Sequence, residues 1–142
     1  MTIAAVLEHK GGEVAIIEAA ASLQEATAEL ARRKIGALLV MESGRIAGIL
    51  SERDIIGCLA AHESGLHDRT VADAMTADVI TVEPSTPVLA ALALITSRRV
   101  RHLPVVDGGA LVGIVSIGDL VKHRMERIEA EAEAMRTYIQ SA

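Results

Sequence analysis

The sequence predicts an α/β (α+β) fold made of two β-α-β-β-α repeats related by a pseudo-twofold axis, followed by a C-terminal amphipathic helix. The chain aligns with itself without a gap when it is shifted by 65 positions, which places residues 14–54 on residues 79–119. Each copy alternates strand-like and helix-like segments in the same order. The chain has 142 residues, 51% of them apolar and 23% charged, which is typical of a globular protein with a core of its own.

Matched residues show that the repeat is not accidental. Glycine, serine and aspartate recur together, because Gly48, Ser51 and Asp54 of the first copy match Gly113, Ser116 and Asp119 of the second. Further identical pairs are Val14 with Val79, Glu18 with Glu83, Ala26 with Ala91, Arg33 with Arg98, Leu38 with Leu103, Val40 with Val105 and Gly44 with Gly109. A unit of about 55 residues cannot bury both faces of a three-stranded sheet, so we expect the two copies to pack together.

Local signals predict the same five elements in each copy. These are a strand (14–17; 79–82), a helix, two strands of a hairpin (37–41 and 46–50; 103–106 and 111–115) and a helix from near Asp54 or Asp119. Capping signals, Ser22 with Glu25 in one copy and Thr86 with Pro87 in the other, mark the first helix. The predicted organisation is repeat 1 (1–60), a linker and entry to repeat 2 (61–74), repeat 2 (75–124) and a helical tail (125–142).

The tail carries an apolar stripe at heptad-like intervals of four and three residues. Its members are Val121, Met125, Ile128, Ala132, Met135 and Ile139. Such a stripe on a charged helix favours a contact between two helices. We expect it to join two copies as a homodimer, and packing back onto its own chain is the alternative.

Composition excludes several classes of protein. The apolar segment 1–7 has no basic lead and is too short for a signal peptide, and the longest apolar run, 88–95, is far below the roughly 20 residues that cross a bilayer. We therefore expect a cytoplasmic protein without a membrane partner. A net charge of −5 argues against binding to nucleic acid.

Metal and thiol chemistry also find little support. Cys58 is the one cysteine of the chain, which excludes an internal disulfide and predicts a buried small apolar residue in preference to a reactive thiol. The stretch 62–68 contains histidines and carboxylates, but its spacing fits no specific metal site. We expect a solvated loop there and no bound metal.

The segments 48–54 and 113–119 each lead from a strand through a turn into a helix, and two interpretations of them are open. Ser-x-x-Asp is a capping-box signal, in which the serine oxygen accepts from helix amides and the acid stands in the first turn. The same carboxylate can accept hydrogen bonds from ribose hydroxyls while nearby amides and cations hold phosphate. The local sequence alone does not choose between them.

The duplicated segments resemble the cystathionine β-synthase (CBS) domain family, whose repeats end in Gly-h-h-Ser/Thr-x-x-Asp, where h is apolar. The resemblance covers about residues 3–125 and is strongest in 101–107 with 113–119, and in 51–55. It implies a stand-alone, bacterial-type pair of domains that binds an adenosine ligand (AMP, ADP, ATP or NAD(H)) in the clefts between its repeats. Such a module serves signal transduction or energy sensing, acts on an unknown protein target in trans, commonly dimerises and uses no catalytic cofactor.

Carried over by residue, the resemblance implies two sites in which the aspartates hold ribose and the serines support ribose or α-phosphate. One site would use Ile49, Ser51 and Asp54 with Val79, Ile80, Val100, Arg101 and His102; the other would use Ile114, Ser116 and Asp119 with Val14, Ala15, Ile35 and Gly36. Because Arg53 matches Gly118, and Arg101 and His102 match Gly36 and Ala37, we expect more cations, and therefore phosphate first, beside Asp54. The basic residues Arg32, Arg33, Lys34, Arg98 and Arg99 are expected to complement helix C-termini, with phosphate contact as the alternative.

Two other functions compete with a nucleotide sensor. An enzyme would need a Ser-His-Asp set, a P-loop or a metal-ligand cluster, and the sequence contains none of them; His102 is the one plausible general base. A structural dimerisation scaffold with degenerate ligand sites would have no need of both aspartates. The sequence therefore predicts a non-catalytic regulatory module.

Overall fold

The chain divides into two units in the computed structural model, which describes residues 1–62 and 65–141. The first-repeat unit is Glu13–Ile80, and the second-repeat unit combines Met1–Gly12 with Thr81–Ala142. The N-terminal twelve residues therefore pack with the repeat that is distant from them in sequence.

The first-repeat unit is a three-stranded sheet with helices. Its elements are β1 (Ile16–Glu18), α2 (Leu23–Arg33), β2 (Ala37–Glu42), β3 (Arg45–Ser51), α3 (Glu52–Ala61), a 3₁₀ turn (Leu66–Asp68) and α4 (Val71–Ala74). The strand order is β1-β2-β3, with β1 parallel and β3 antiparallel to β2. Its core is built from Ala19, Leu23, Ala26, Leu30, Leu38, Val40, Leu50, Ile55 and Val71.

The second-repeat unit contains a two-stranded sheet and three helices. Its elements are α1 (Ile3–Lys10), α5 (Val88–Arg98), β4 (His102–Asp107), β5 (Ala110–Ser116) and α6 (Ile117–Ser141). Its buried apolar residues are Ile3, Val6, Val82, Val88, Ala91, Ile95, Leu103, Val105, Val115 and Leu120. Helix α1 contacts β5 and α6, so the N-terminal segment lies beside the end of the second repeat. The mixed α+β class and the C-terminal helix predicted from the sequence are confirmed.

Both predicted hairpins are present, and their turns share one backbone geometry. Ser43 and Gly44 have φ angles of 52° and 76°, and Gly108 and Gly109 have φ angles of 57° and 87°. Two consecutive positive φ angles are the requirement of a type I′ turn, whose twist matches that of the flanking strands. Each hairpin also has a register irregularity at the same repeat position, between Val40 and Met41 or between Val105 and Val106.

The predicted strand at residues 79–82 is wrong, because only Val82 pairs with β4, through an isolated parallel bridge to Val105. The cause is visible in the matched residues. In the first repeat the Leu39 amide donates to the Ala15 carbonyl at 3.0 Å. The position that matches Leu39 in the second repeat is Pro104, which has no N–H to donate, so the ladder cannot extend to Ile80.

One of the two predicted helix caps is confirmed and the other is wrong. Ser22 does accept a hydrogen bond from the Glu25 amide at 3.1 Å, as a cap of α2 should. In the second repeat, however, the N-cap of α5 is Pro87, and the Thr86 hydroxyl instead accepts from the Glu83 amide at 3.1 Å. Helices α1 and α4 were not predicted, since they are short and their apolar residues are too few to show a helical period.

Helix α6 extends for 25 residues, and its second half is exposed. Of the predicted stripe, Met125, Met135 and Ile139 are 56%, 59% and 65% exposed. The helix is therefore confirmed, and its apolar stripe faces no residue of the described chain over much of its length.

Three further predictions concern the thiol, a metal site and a membrane span. Cys58 is half-buried against the core of the first-repeat unit, which agrees with a packing role. Among the described residues no group of three or more histidines, cysteines and carboxylates could hold a metal ion, but Glu63 and Ser64 of the stretch 62–68 lie outside that part of the chain. No helix in residues 1–62 or 65–141 is long and apolar enough to cross a membrane.

Candidate functional site

Asp54 is fixed at the junction of β3 and α3 by a reciprocal capping box. Its Oδ2 accepts from the Ser51 amide at 2.9 Å and from Ser51 Oγ at 3.0 Å. In return the Asp54 amide donates to Ser51 Oγ at 3.2 Å. Two donors thus hold one carboxylate oxygen, and the half-buried side chain has little rotational freedom.

The other oxygen of Asp54 is met by a threonine that follows α4. Thr76 Oγ1 donates to Asp54 Oδ1 at 3.3 Å, and the backbones of Ile49 and Thr76 exchange two hydrogen bonds of 2.9 Å. This close approach requires Gly48, because a Cβ atom there would lie 2.7 Å from the Thr76 carbonyl oxygen and 2.8 Å from Met75 Sδ. The glycine of the motif therefore admits residues 75–76 beside β3.

Asp119 has the same capping box at the junction of β5 and α6. Its Oδ2 accepts from the Ser116 amide at 2.8 Å, and its own amide donates to Ser116 Oγ at 3.1 Å. The capping interpretation of both motifs is therefore correct. The ribose interpretation stays open as well. The cap holds one carboxylate oxygen, and the second oxygen is thereby kept in a defined orientation.

A lysine that the repeat comparison did not identify reaches the Asp119 motif. Lys10, the last residue of α1, donates through Nζ to Asp119 Oδ2 at 2.6 Å and to the Ile114 carbonyl at 2.7 Å. The side chains of Lys10 and Asp119 are 32% and 27% exposed, so the pair is partly shielded from water. Burial raises the pKa of Asp119, but the hydrogen bonds from Lys10 and Ser116 outweigh it, and the pKa lies below its ordinary value of 3.8.

A cavity of about 350 Å³ opens beside this pair, within the second-repeat unit. It lies between α1 and α6 and is lined by Val6, His9, Lys10, Asp119, Lys122, His123 and Glu126. His123 is fixed in it by contacts with Met1 Sδ, 3.1 Å from Nε2, and with the His9 ring, whose centroid is 6.2 Å away. The lining therefore combines two lysines and two histidines with two carboxylates.

Apart from Arg53 in α3, the remaining predicted site residues lie in the hairpin strands or in the segments that precede them. Within each unit the entry to the hairpin is bound to the start of the last helix: the Glu52 amide donates to the Gly36 carbonyl at 3.1 Å, and the Ile117 amide to the Arg101 carbonyl at 2.9 Å. His102 pairs with Ser116 in the β4–β5 register. Arg53 and Arg101 are exposed, and the half-buried members are Val14, Ala15, Ile35, Gly36, Ile49, Val79, Ile80, Val100, His102 and Ile114.

Each predicted site combines residues of both units, and that combination stays a prediction. Within each unit, the motif aspartate contacts its capping serine and one further donor. This donor is Thr76 for Asp54 and Lys10 for Asp119. Sequence reasoning missed both donors. Thr76 and Lys10 lie in the short segments before each repeat, outside the region 14–54 and 79–119 that aligns with itself, so the repeat gave no signal for them.

Basic residues lie at the C-terminal ends of α2 and α5, and two of them have acidic partners. Arg32 and Arg33 both pair with Glu29, one turn earlier on α2, and their hydrogen bonds lower the pKa of that carboxyl. Lys34 and Arg99 are the helix C-caps, both with a φ of 55°. This supports the expectation that positive charge here complements helix C-termini.

Comparison with known proteins identifies the repeats. The family model of the CBS domain matches the chain twice, over residues 12–61 and 71–126. The Bacillus subtilis CBS domain-containing protein YhcV is 32% identical over 119 residues, which cover 83% of this chain and 84% of YhcV. The Arabidopsis thaliana mitochondrial protein CBSX3 is 34% identical over 124 residues, 84% of this chain, and the match spans 60% of the length of that relative.

Solved structures agree with the sequence comparison. The CBS-domain containing protein ATU1752 from Agrobacterium tumefaciens superimposes with a TM-score of 0.84 at 34% identity, covering 87% of this chain and 99% of that one. The paired Gly-h-h-Ser-x-x-Asp ends, the matched hairpins and these similarities lead to one conclusion. The chain belongs to the CBS-domain family and contains two copies of the domain.

Proposed function

We propose that this chain is a non-catalytic regulatory module that binds adenosine nucleotides through the Ser-x-x-Asp motifs of its two repeats. The observation that carries the proposal is the duplicated geometry at Asp54 and Asp119. In both motifs a serine amide holds Oδ2 of a half-buried carboxylate at the junction of a strand and a helix, at 2.9 Å and 2.8 Å. A fixed carboxylate suits a ligand with adjacent hydroxyl groups, such as ribose, because it accepts from both without reorganisation.

The contacts of a bound nucleotide follow from this arrangement. Since the capping serine occupies Oδ2, a ribose hydroxyl would approach Oδ1. The amides at the first turn of α3 and α6 favour the negative charge of a phosphate. For the base and the remaining contacts we propose the residues predicted from the sequence: Ile49, Val79, Ile80, Val100, Arg101 and His102 with Asp54, and Ile114, Val14, Ala15, Ile35 and Gly36 with Asp119.

One structural neighbour has a ligand of the proposed class bound to it. CBSX2, solved in complex with AMP, superimposes with a TM-score of 0.68 over 80% of this chain at 24% identity. Likeness at this identity speaks for the fold alone, so the AMP belongs to CBSX2. AMP, ATP and NAD(H) share the adenosine moiety that the motif chemistry fits, and we propose this moiety as the recognised group.

The output is proposed to be conformational and to act on a cytoplasmic protein target in trans. A nucleotide that binds one arrangement of the two repeats more tightly shifts the equilibrium toward it by its differential affinity. A partner that contacts only one arrangement would then report the concentration of the nucleotide, which is the logic of energy sensing.

We propose that a second copy of the chain covers the exposed stripe of α6. Met125, Ile128, Met135 and Ile139 are each 48% exposed or more, at heptad-like intervals along one face. A self-complementary stripe of this kind pairs with the same stripe of another molecule. The CBS-CP12 protein from bloom-forming cyanobacteria, a hexamer, is a structural neighbour at 25% identity and a TM-score of 0.77, so assembly occurs in this fold.

A thermal-shift screen tests the ligand proposal. The chain is heated with AMP, ADP, ATP, NAD(H), S-adenosylmethionine and, as a control without adenine, ribose 5-phosphate. A ligand at 100 times its dissociation constant adds about 2.7 kcal/mol to the free energy of unfolding, and we expect adenosine ligands to do so. No shift with any of them would leave a dimerisation scaffold as the function, whereas turnover of a ligand would make the protein an enzyme.

A further inference from the structure

The ammonium of Lys10 lies beside the carboxylate of Asp119 on Oδ2, next to the Oδ1 oxygen that we propose for ribose. It donates to the motif carboxylate at 2.6 Å and to the carbonyl of Ile114, two strand residues before Ser116, at 2.7 Å. An ammonium has three N–H donors, so two are used by the protein and one remains for an oxygen of a ligand. Lys10 therefore places a positive charge beside Asp119, the carboxylate that we propose accepts from ribose.

The cavity at this point is suited to an anionic group. It measures about 350 Å³, has Asp119 on its wall and contains Lys10 and Lys122 with His9 and His123. Sites for small ligands begin at roughly 300 Å³, so the space can accommodate the phosphate end of a nucleotide. Asp119 and Glu126 are the carboxylates among the lining residues, and Asp119 is the one that pairs with Lys10.

In the first-repeat unit the donor that comes from outside the motif is neutral and contacts the other carboxylate oxygen. Asp54 Oδ1 accepts from Thr76 Oγ1 at 3.3 Å, which is a weaker and uncharged contact. A hydroxyl cannot discriminate a phosphorylated ligand from adenosine by charge, whereas an ammonium can. The two motif aspartates therefore differ in the charge of the donor that contacts them from outside the motif.

We propose that Lys10 is the specificity-determining residue of the Asp119 motif, and that it selects phosphorylated adenosine ligands by donating its remaining N–H to phosphate while ribose approaches Asp119 Oδ1. This inference rests on the proposed function. It gives the N-terminal helix α1 a role in recognition, and it assigns the cavity between α1 and α6 to the phosphates. A cationic adenosyl compound such as S-adenosylmethionine would be disfavoured there.

Calorimetry in the Asp54→Asn background tests the proposal, since binding then reports on the Asp119 motif. AMP and adenosine are titrated into this protein with Lys10 intact, with Lys10→Met, with Lys10→Arg and with Lys34→Asn as control. Lys34→Asn removes one lysine charge at a C-cap with a φ of 55°, which asparagine tolerates. We expect Lys10→Met to weaken AMP by roughly tenfold or more and to leave adenosine unchanged or tighter, as the loss of one charge-assisted hydrogen bond implies.

Lys10→Arg should keep the preference for AMP, and the control should not alter it. Equal changes for AMP and adenosine in Lys10→Met would mean that Lys10 only competes for Asp119, and no change for either would mean that it only attaches α1; both results overturn the proposal.

Pyrophosphate separates this proposal from the proposed function. It is added alone to the chain with an intact Asp54, and binding is followed by the NMR signals of Lys10 and of its neighbours. If adenosine ligands do not bind but pyrophosphate shifts these signals, the nucleotide function fails and the anion site stands. If AMP and adenosine bind equally and pyrophosphate does nothing, the nucleotide function stands and the role of Lys10 fails.

Discussion

Lys10 Nζ lies 2.6 Å from Asp119 Oδ2, although 109 positions separate the two residues in the sequence. The contact connects the end of the N-terminal helix to the motif that ends the second repeat. Residues 1–12 belong to the second-repeat unit, so a segment that the repeat does not include supplies a donor to the Asp119 motif.

Because Lys10 pairs with Asp119, the substitution Lys10→Met should change the pKa of Asp119. The pKa of Asp119 is below 3.8 because the hydrogen bonds of Lys10 and Ser116 favour the carboxylate more than burial disfavours it. In Lys10→Met the ammonium is absent while burial still disfavours the charged carboxylate, so we expect the pKa of Asp119 to rise. The measurement is a pH titration of the aspartate side-chain carbons by NMR, and an unchanged value for Asp119 in the variant would contradict the contact.

The sign of the effect on stability follows from linkage. A carboxyl whose pKa is depressed in the folded state stabilises fully above its unfolded pKa of about 3.9, and this contribution is lost as the pH falls through the folded value. The free energy of unfolding should therefore fall more steeply below pH 4 in the parent than in Asp119→Asn. Parallel curves for the two proteins would show that Asp119 has no depressed pKa.

Gly48 predicts a local packing effect. In Gly48→Ala the new Cβ would be 2.7 Å from the Thr76 carbonyl oxygen, so β3 or residues 75–76 must move. We expect destabilisation of about 1 to 3 kcal/mol, the usual cost of overpacking, together with weaker ligand binding at Asp54. Urea unfolding measures the first effect.

Gly57→Ala is the matched control, since a Cβ there meets nothing within 4 Å. In the middle of α3 this substitution should stabilise by about 0.5 to 1 kcal/mol. Destabilisation by both alanines would indicate that the space around Gly48 is not the cause.

Replacing a capping serine should lower the free energy of unfolding without changing the charge of the protein. Ser116→Ala removes the oxygen that accepts from the Asp119 amide at 3.1 Å. We expect a loss of about 1 kcal/mol, and Ser116→Thr should recover most of it because its hydroxyl can cap the helix. Thermal unfolding followed by circular dichroism compares the three proteins, and equal stability of all three would mean that the cap contributes nothing.

The exposed apolar stripe on α6 predicts that the chain forms a dimer. Ile128→Glu with Met135→Glu places two charges on the exposed apolar face, and we expect the dimer to dissociate because charges cannot be buried there without partners. Ala130→Glu, on the opposite face, is the control and should not alter the mass. Light scattering on a sizing column gives the mass. A parent chain that is monomeric, or a double variant that remains dimeric, would contradict the proposal.

The sequence predicted the hairpin turns and the starts of the last helices well, because the same turn and cap residues occur in both repeats. The hairpin turns at Ser43–Gly44 and Gly108–Gly109 lie between the predicted strands, and α3 and α6 begin at Glu52 and Ile117, close to the starts predicted near Asp54 and Asp119. Local chemistry determines these features, since the glycine, serine and aspartate are themselves the turn and cap formers.

Prediction was poorer where one repeat departs from the other or where contacts are distant in sequence. Pro104 replaces a donor that Leu39 supplies, and this one residue reduces a strand to the bridge at Val82. Lys10 and Thr76 contact the motif aspartates only because α1 and α4 lead them there. Neither residue has a feature that distinguishes it from a surface lysine or threonine in the sequence.

Binding stoichiometry is the most direct test of the central claim that the two Ser-x-x-Asp motifs bind adenosine nucleotides. AMP is titrated calorimetrically into the parent chain and into Asp54→Asn and Asp119→Asn, which keep an oxygen to accept from the capping serine amide but lose the carboxylate. We predict two sites per chain in the parent, one in each single variant and none in the double variant, with thermal unfolding confirming that all four proteins are folded. Undiminished AMP binding in the double variant would show that the aspartates serve only as helix caps.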